Sequence, residues 1–351
     1  MIAESKLVAP DFDSLALADD GRADRASHVV SRASSLIELA YVPLVSGLRG
    51  RSGVPCYLFA YDWRYSIVTS ARMLVRFVES LQAKSILELP GWAGDFDFVC
   101  HSMGGLGFRA FLAEWRSTNP ARALPVDRVV FIATPHKGSL EAAAALITGE
   151  SPLLGGQKAM RKLARTYPAV YELLPLPANG VMWAEREGTE VDLFQDSNWQ
   201  RNTTPVVSAP GNFDVKQRHL DEARQVLTGL PIPTDPAVGL ALQNLLVVYG
   251  AKQNSTLKVV PVESAPDNWY DFARARKAEG DDVVLVESAK LPGVTAVQIR
   301  PEDFSYLWHP IQRAYAKVDL HAFLPALDEV QTIASAFFGG ATGTALLPLN
   351  P

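Results

Sequence analysis

The sequence predicts an α/β fold with a mostly parallel central sheet. Two observations point there: apolar, β-branched and aromatic runs alternate with segments of helical spacing between residues 56 and 135, and a buried-strand pattern resumes at 244–252 after a long helical interruption. Strands that alternate with helices pair in parallel, because a helical crossover returns the chain to the same edge of the sheet. At 351 residues, 48% hydrophobic and 20% charged, the chain can bury a full core.

In chain order, ASHVVSRASSLIELAYVPLV (26–45) has rough helical spacing, and the turn-rich GLRGRSGVP after it predicts a stop. CYLFAYDW (56–63) predicts a buried strand, and SARMLVRFVESLQAK (70–84) a helix. FDFVCHS (96–102) repeats the strand pattern, GGLGFRAFLAEWRS the helix, and VDRVVFIATP (126–135) gives a third strand. From about residue 139 to 240 the pattern is helical (EAAAALI, QKAMRKLARTYPAVYELL), with several prolines and no convincing buried strand. That stretch is expected to be an insertion. NLLVVYGAK (244–252) and VTAVQI (294–299) are further strands, AEGDDVV (278–284) is a turn, and a closing helix is expected near 321–338. The expected organisation is a core from 1–138 and 241–340, a helical cap at 139–240, and a loose tail at 341–351.

A net charge of -5 argues against a nucleic-acid partner, whose phosphates call for a basic surface. The two cysteines, Cys56 and Cys100, lie in apolar strand-like runs, where buried thiols are expected rather than a disulfide. No Cys/His cluster has metal-ligand spacing and no phosphate loop is present, so no cofactor is expected. Nothing at the N-terminus has the basic and apolar regions of a signal peptide, and the longest apolar stretch, 238–251, is too short for a bilayer. The sequence as it stands therefore reads as soluble and cytoplasmic.

The chemistry concentrates in FVCHSMGG (98–105). A nucleophilic serine must stand clear of its sheet, and a strained strand-to-helix turn with small residues two before and two after it achieves this. Cys100 and Gly104 hold those positions around Ser102, with an apolar run before and a helical pattern after. Serine and glycine also end strands by chance; the flanking context makes Ser102 the candidate nucleophile. Serine needs a histidine to take its proton and an acid to orient that histidine, in the chain order Ser, acid, His. Of six histidines, only His309 and His321 lie late enough. His321 opens a helix near the C-terminus; His309 precedes a proline in a turn. Asp281 and Asp282 are adjacent candidates for the acid.

YDWR (61–64), HSMGG (101–105), IATPHKGS (132–139), YELLP (171–175) and GDDVVLVESA (280–289), in that order, resemble the lecithin:cholesterol acyltransferase family of α/β-hydrolases, which includes phospholipid:diacylglycerol acyltransferases. The resemblance implies an α/β-hydrolase fold with a cap, and acyl-ester hydrolysis or transfer on a lipid or other ester, with an alcohol as the acceptor where the acyl group is transferred. It implies Ser102 as nucleophile, His321 as base and, as the first aspartate after the glycine of the turn, Asp281 as acid. The Met103 N–H is the expected oxyanion donor. A second donor normally comes from a glycine-rich loop after an early strand, and MIAESKL resembles only the tail of that loop. The first strand is thus expected to be missing upstream of Met1, with Ile2, Ala3 or Glu4 the alternative donors. Asp62, Trp63, His101 and His136 are expected near the substrate pocket, with structural pairing and helix capping as the plainer roles for Asp62, Trp63 and His136. The cap's aromatics, Trp183, Phe194, Trp199 and Phe213, would meet acyl chains or a membrane surface, or form the cap's own core. A non-catalytic binding or scaffold relative is the rival expectation, and amide or thioester hydrolysis a third.

Overall fold

The computed structural model describes residues 15–23, 38–88, 92, 94–149, 160–177, 183–199, 215, 217–263, 269–301 and 319–346. The first elements are α1 (Glu38–Ser52), α2 (Ile67–Glu88), β1 (Phe96–His101), α3 (Met103–Thr118) and β2 (Val126–Ile132). Next come α4 (Leu140–Ile147), α5 (Met160–Ala164), α6 (Pro168–Tyr171), the short strands β3 (Trp183–Arg186) and β4 (Thr189–Val191), and α7 (Gln217–Gly229). Then follow β5 (Leu245–Gly250), β6 (Lys252–Glu263), β7 (Trp269–Tyr270), β8 (Arg276–Gly280), α8 (Val286–Ala289) and β9 (Thr295–Ile299). A turn of helix at Leu320–Phe323 and a helix at Asp328–Phe338 close the fold.

The central sheet has the order β1-β2-β5-β9, and every pairing in it is parallel. Alternate residues of its strands point to opposite faces, which divides the core in two. Val129, Phe131 and Val247 join Phe108, Phe111 and Trp115 of α3 and the inserted helices on one face. Val130, Ile132, Leu246 and Val248 join Tyr41, Leu44 and Leu48 of α1 and Val330, Ile333 and Phe337 of the closing helix on the other. Because both faces are covered, β5 can be apolar throughout, and all its residues are buried.

Four expectations need correction. The run at 56–63 is extended but forms no strand, and its Tyr57 and Leu58 are exposed at 41% and 43%. A strand exists only through its ladder partner; no described strand pairs with this segment, and β1 is the last strand of the sheet on that path. α1 runs past residue 45 and ends within the turn-rich stretch at Ser52, where Gly53 leaves it at φ 65°. Gly47 lies so close to Gln331 of the closing helix that a Cβ there would clash, so this glycine serves packing rather than a break. The single helix suggested by QKAMRKLARTYPAVYELL divides into α5 and α6, since Pro168 pushes Tyr167 out of the helical region to φ -98°, ψ 107°. The closing helix likewise divides around Pro325 and Leu327.

A second sheet, which the helical pattern of 139–240 does not predict, has the order β4-β3-β6-β7, with β8 also paired to β6. It joins the inserted hairpin to the long polar stretch after β5. No described helix is long and apolar enough to cross a membrane.

Candidate active site

Ser102 sits between the end of β1 and the start of α3 at φ 52°, ψ -130°, a conformation L-residues avoid. The sheet imposes it. The Ser102 N–H donates to the Ile132 carbonyl at 2.8 Å, which continues the β1–β2 ladder, while the next residue must already turn as helix. The turn is tight enough that Gly105 packs directly on Thr134 at the end of β2; a Cβ there would stand 2.1 Å from the Thr134 hydroxyl. Such strain, of order 1–3 kcal/mol, persists only where the surroundings over-determine it.

The Ser102 hydroxyl lies 2.7 Å from His321 Nε2, and His321 Nδ1 lies 2.8 Å from Asp281 Oδ2. The other carboxylate oxygen of Asp281 accepts from the backbone N–H groups of Val283 (3.1 Å) and Val284 (2.7 Å). The His321 N–H donates to the Asp281 carbonyl at 3.1 Å, so main chain and side chain hold the pair together. Ser102, Asp281 and His321 are 2%, 1% and 6% exposed, which removes most solvent screening from these contacts. Burial pulls the His321 pKa down, but the charge and hydrogen bond of Asp281, with Asp319 and Asp282 beyond it, outweigh that and leave it raised.

Asp282 is turned elsewhere. At φ 82° it takes the left-handed backbone that favours glycine, and its carboxylate pairs with Lys252 Nζ at 2.8 Å and accepts from the Leu320 N–H at 3.4 Å. Of the two neighbouring aspartates, Asp281 is the one on the histidine. The Met103 N–H is in the first turn of α3, where helix geometry supplies no intrahelical acceptor. Ile2, Ala3 and Glu4, as well as His309 and Phe213, lie outside the described residues.

The remaining candidates are engaged otherwise. The Asp62 carboxylate takes the fully buried Arg64 guanidinium in a fork, with Nε at 3.0 and 3.1 Å and Nη2 at 2.6 Å, and Arg64 Nη1 donates to the Leu15 carbonyl at 2.8 Å. Trp63 packs edge-on against Tyr167, its indole N–H without an acceptor. His136 is buried against Phe131 with neither ring nitrogen bonded, and burial, then the Arg109 charge, hold its pKa well below the usual histidine value. Both ring nitrogens of His101 are bonded within the protein, to Tyr41 and to the His321 backbone. Cys100 is buried and Cys56 half-buried, both as free thiols.

Sequence reasoning missed the residues that tie the motifs together. The Ser139 hydroxyl of IATPHKGS donates to the Val283 carbonyl beside Asp281. Ser288 Oγ of GDDVVLVESA donates to the Gly138 carbonyl at 2.7 Å and accepts from the Lys137 N–H at 3.2 Å. The Glu172 carboxylate of YELLP accepts from the Ile67 N–H at the start of α2 at 2.7 Å, just after YDWR. Motifs far apart in sequence thus meet through buried hydrogen bonds: IATPHKGS against GDDVVLVESA, and YELLP against the start of α2.

A family model for lecithin:cholesterol acyltransferase matches residues 56–226, from the segment before YDWR through the elbow and YELLP into α7. Over that stretch the chain is similar to the lecithin:cholesterol acyltransferase family. At the level of the family this supports an acyltransferase-like or lipase-like activity. No curated protein matches this chain significantly in sequence. Among solved structures, that of the Tle4-Tli4 complex aligns with a TM-score of 0.49 at 16% identity, covering 78% of this chain and 68% of the other.

Proposed function

We propose that the chain is a serine esterase or O-acyltransferase acting on a lipid or other acyl ester through Ser102, His321 and Asp281. The observation that carries this reading is the unbroken line of hydrogen bonds from Ser102 Oγ through both ring nitrogens of His321 to Asp281, at 2.7 and 2.8 Å, at the strained turn before α3.

The steps follow from the geometry. His321 Nε2 takes the hydroxyl proton as Ser102 Oγ adds to the acyl carbonyl, forming a C–O bond and a tetrahedral oxyanion. Asp281, acceptor of two backbone N–H bonds as well as the imidazole, keeps the proton on Nδ1 and stabilises the imidazolium that forms. The Met103 N–H faces the oxyanion; one such donor contributes roughly two to three orders of magnitude in rate. The oxyanion collapses, the ester C–O bond breaks, and the leaving alcohol takes the proton from His321 Nε2. Water or an acceptor alcohol then attacks the acyl-enzyme with His321 again as base. The near-complete burial of Ser102 and His321 limits the access of bulk water to the acyl-enzyme and favours transfer where an alcohol binds.

In this reading residues 139–240, joined by the second sheet, cap the core formed by 1–138 and 241–340. The cap is the part that meets a lipid acyl chain or a membrane surface. Phe194 and Trp199 are buried at 0% and 4% exposure and serve the cap's own packing. Reaction with a fluorophosphonate probe, mapped by peptide mass spectrometry, tests the reading: the label is expected on Ser102 and absent from Ser102→Ala. An intact protein that takes no label would favour the non-catalytic alternative.

A further inference from the structure

We propose that His101, the residue before the nucleophile, is a positioning residue for the base: fixed by Tyr41 in a single tautomer, it holds the His321 backbone so that the imidazole stays on Ser102. The proposal rests on the function argued above and extends it to two residues outside the triad.

The hydrogen-bond chain determines the proton positions. His101 Nε2 lies 3.0 Å from the His321 carbonyl oxygen, which can only accept, so Nε2 carries a proton. His101 Nδ1 lies 2.7 Å from the Tyr41 hydroxyl. A neutral ring has one proton, so Nδ1 is bare and the Tyr41 O–H donates to it. Burial, together with the neighbouring charge of His321 in its protonated form, keeps His101 neutral.

The chain of bonds runs from α1 on one face of the sheet, through the last residue of β1, to the turn of helix that carries the base. His321 is then clamped on both sides of its α-carbon: its N–H on the Asp281 carbonyl at 3.1 Å, its C=O on His101. Asp319 caps the same turn of helix through the Ala322 N–H at 2.9 Å. Asp281 aims the imidazole, and His101 fixes the backbone from which it projects. The two imidazoles are close, with ring centroids 5.1 Å apart and planes inclined at 37°. A displacement of about 1 Å at a reacting group costs on the order of 10²-fold in rate, so loss of this clamp should appear in catalysis before it appears in binding.

The test uses His101→Phe, His101→Gln and Tyr41→Phe in the full chain. The readouts are the rate of fluorophosphonate labelling at Ser102 across pH and the separate kcat and KM for a p-nitrophenyl ester. His101→Phe is expected to lower the labelling rate and kcat together by about 10–100-fold, with KM within about twofold. His101→Gln, whose amide N–H can still reach the His321 carbonyl, is expected to recover most of that loss. Tyr41→Phe removes one buried hydroxyl and little volume, so it serves if His101→Phe does not fold. It is expected to lower kcat a few-fold at neutral pH with KM within about twofold. Wild-type labelling rates and kcat in both Tyr41→Phe and His101→Phe, or a Gln variant no better than Phe, would overturn the positioning role. Failure of the wild type to label would overturn the enzyme reading as well, and the two failures are distinguished by that control.

Discussion

Replacing each of the neighbouring aspartates by asparagine separates their roles. Asp281 makes three side-chain bonds: two accepted from Val283 and Val284 N–H and one from His321 Nδ1. In Asp281→Asn the amide oxygen satisfies the backbone donors, and the NH₂ group then faces the imidazole. Imidazole nitrogen facing a donor must be bare, so the ring proton moves to Nε2, where it blocks acceptance of the Ser102 proton. A wrong tautomer of this kind lowers kcat by about 10⁴-fold, which at 1.36 kcal/mol per decade is about 5.4 kcal/mol of transition-state stabilisation. Asp282→Asn removes the half of an ion pair whose partners are 18% and 26% exposed, a contact worth about 0.2–1 kcal/mol of stability, and should leave kcat within about threefold. The assay is kcat on a p-nitrophenyl ester at saturating substrate, with circular dichroism melts to confirm folding. An Asp281→Asn enzyme within tenfold of wild type, or a larger loss in Asp282→Asn, would refute the assignment.

Other outcomes follow from the same contacts. The raised pKa of His321 places the acid limb of kcat/KM above the ordinary value of 6.5, since the base must be neutral in the free enzyme; a pH profile with its limb below 6.5 would contradict this. Burial, and more weakly the Glu222 charge, push Glu172 up to about 7 from 4.5 despite its bonds to Ser66 and the Ile67 N–H. Its folded value lies above its unfolded one, so stability is full below pH 4.5, falls through the interval and is flat above about 7, a loss of roughly 3 kcal/mol at 1.36 kcal/mol per unit. Glu172→Gln keeps an acceptor for the Ile67 N–H and should melt higher than wild type at pH 8 but not at pH 4.5, read by thermal denaturation. Gly105→Ala sets a methyl against the Thr134 side chain and should destabilise by about 1–3 kcal/mol, read as a lower denaturant midpoint.

The elbow was legible because it is local: an apolar strand, a serine and small residues at fixed spacing define Ser102 without knowledge of the rest of the chain. Chain order left His309 and His321, and the resemblance pointed to His321 and, through its turn, to Asp281. What was not legible depends on partners remote in sequence. CYLFAYDW has a strand's composition, but composition reports what a segment can bury, not whether a neighbour pairs with it. Gly47 looked like a helix stop because its contact with Gln331 is 284 residues away. His101 was expected at the substrate pocket from its place beside Ser102, yet its ring nitrogens meet Tyr41 and the His321 backbone. Ser139, Ser288 and Glu172 act through single buried hydrogen bonds that leave no periodic trace. The second sheet was hidden for a similar reason: its hairpin strands are four and three residues long, too short for alternation to stand out.

The central claim is that Ser102 is a nucleophile activated by His321. Its most direct measurement is the second-order rate of phosphonylation by a fluorophosphonate in wild type, Ser102→Ala and His321→Ala, with the modified peptide identified. Labelling confined to the peptide carrying Ser102, lost in Ser102→Ala and slowed at least 10³-fold in His321→Ala, is the predicted result. Labelling elsewhere, or at an equal rate without His321, would contradict the account.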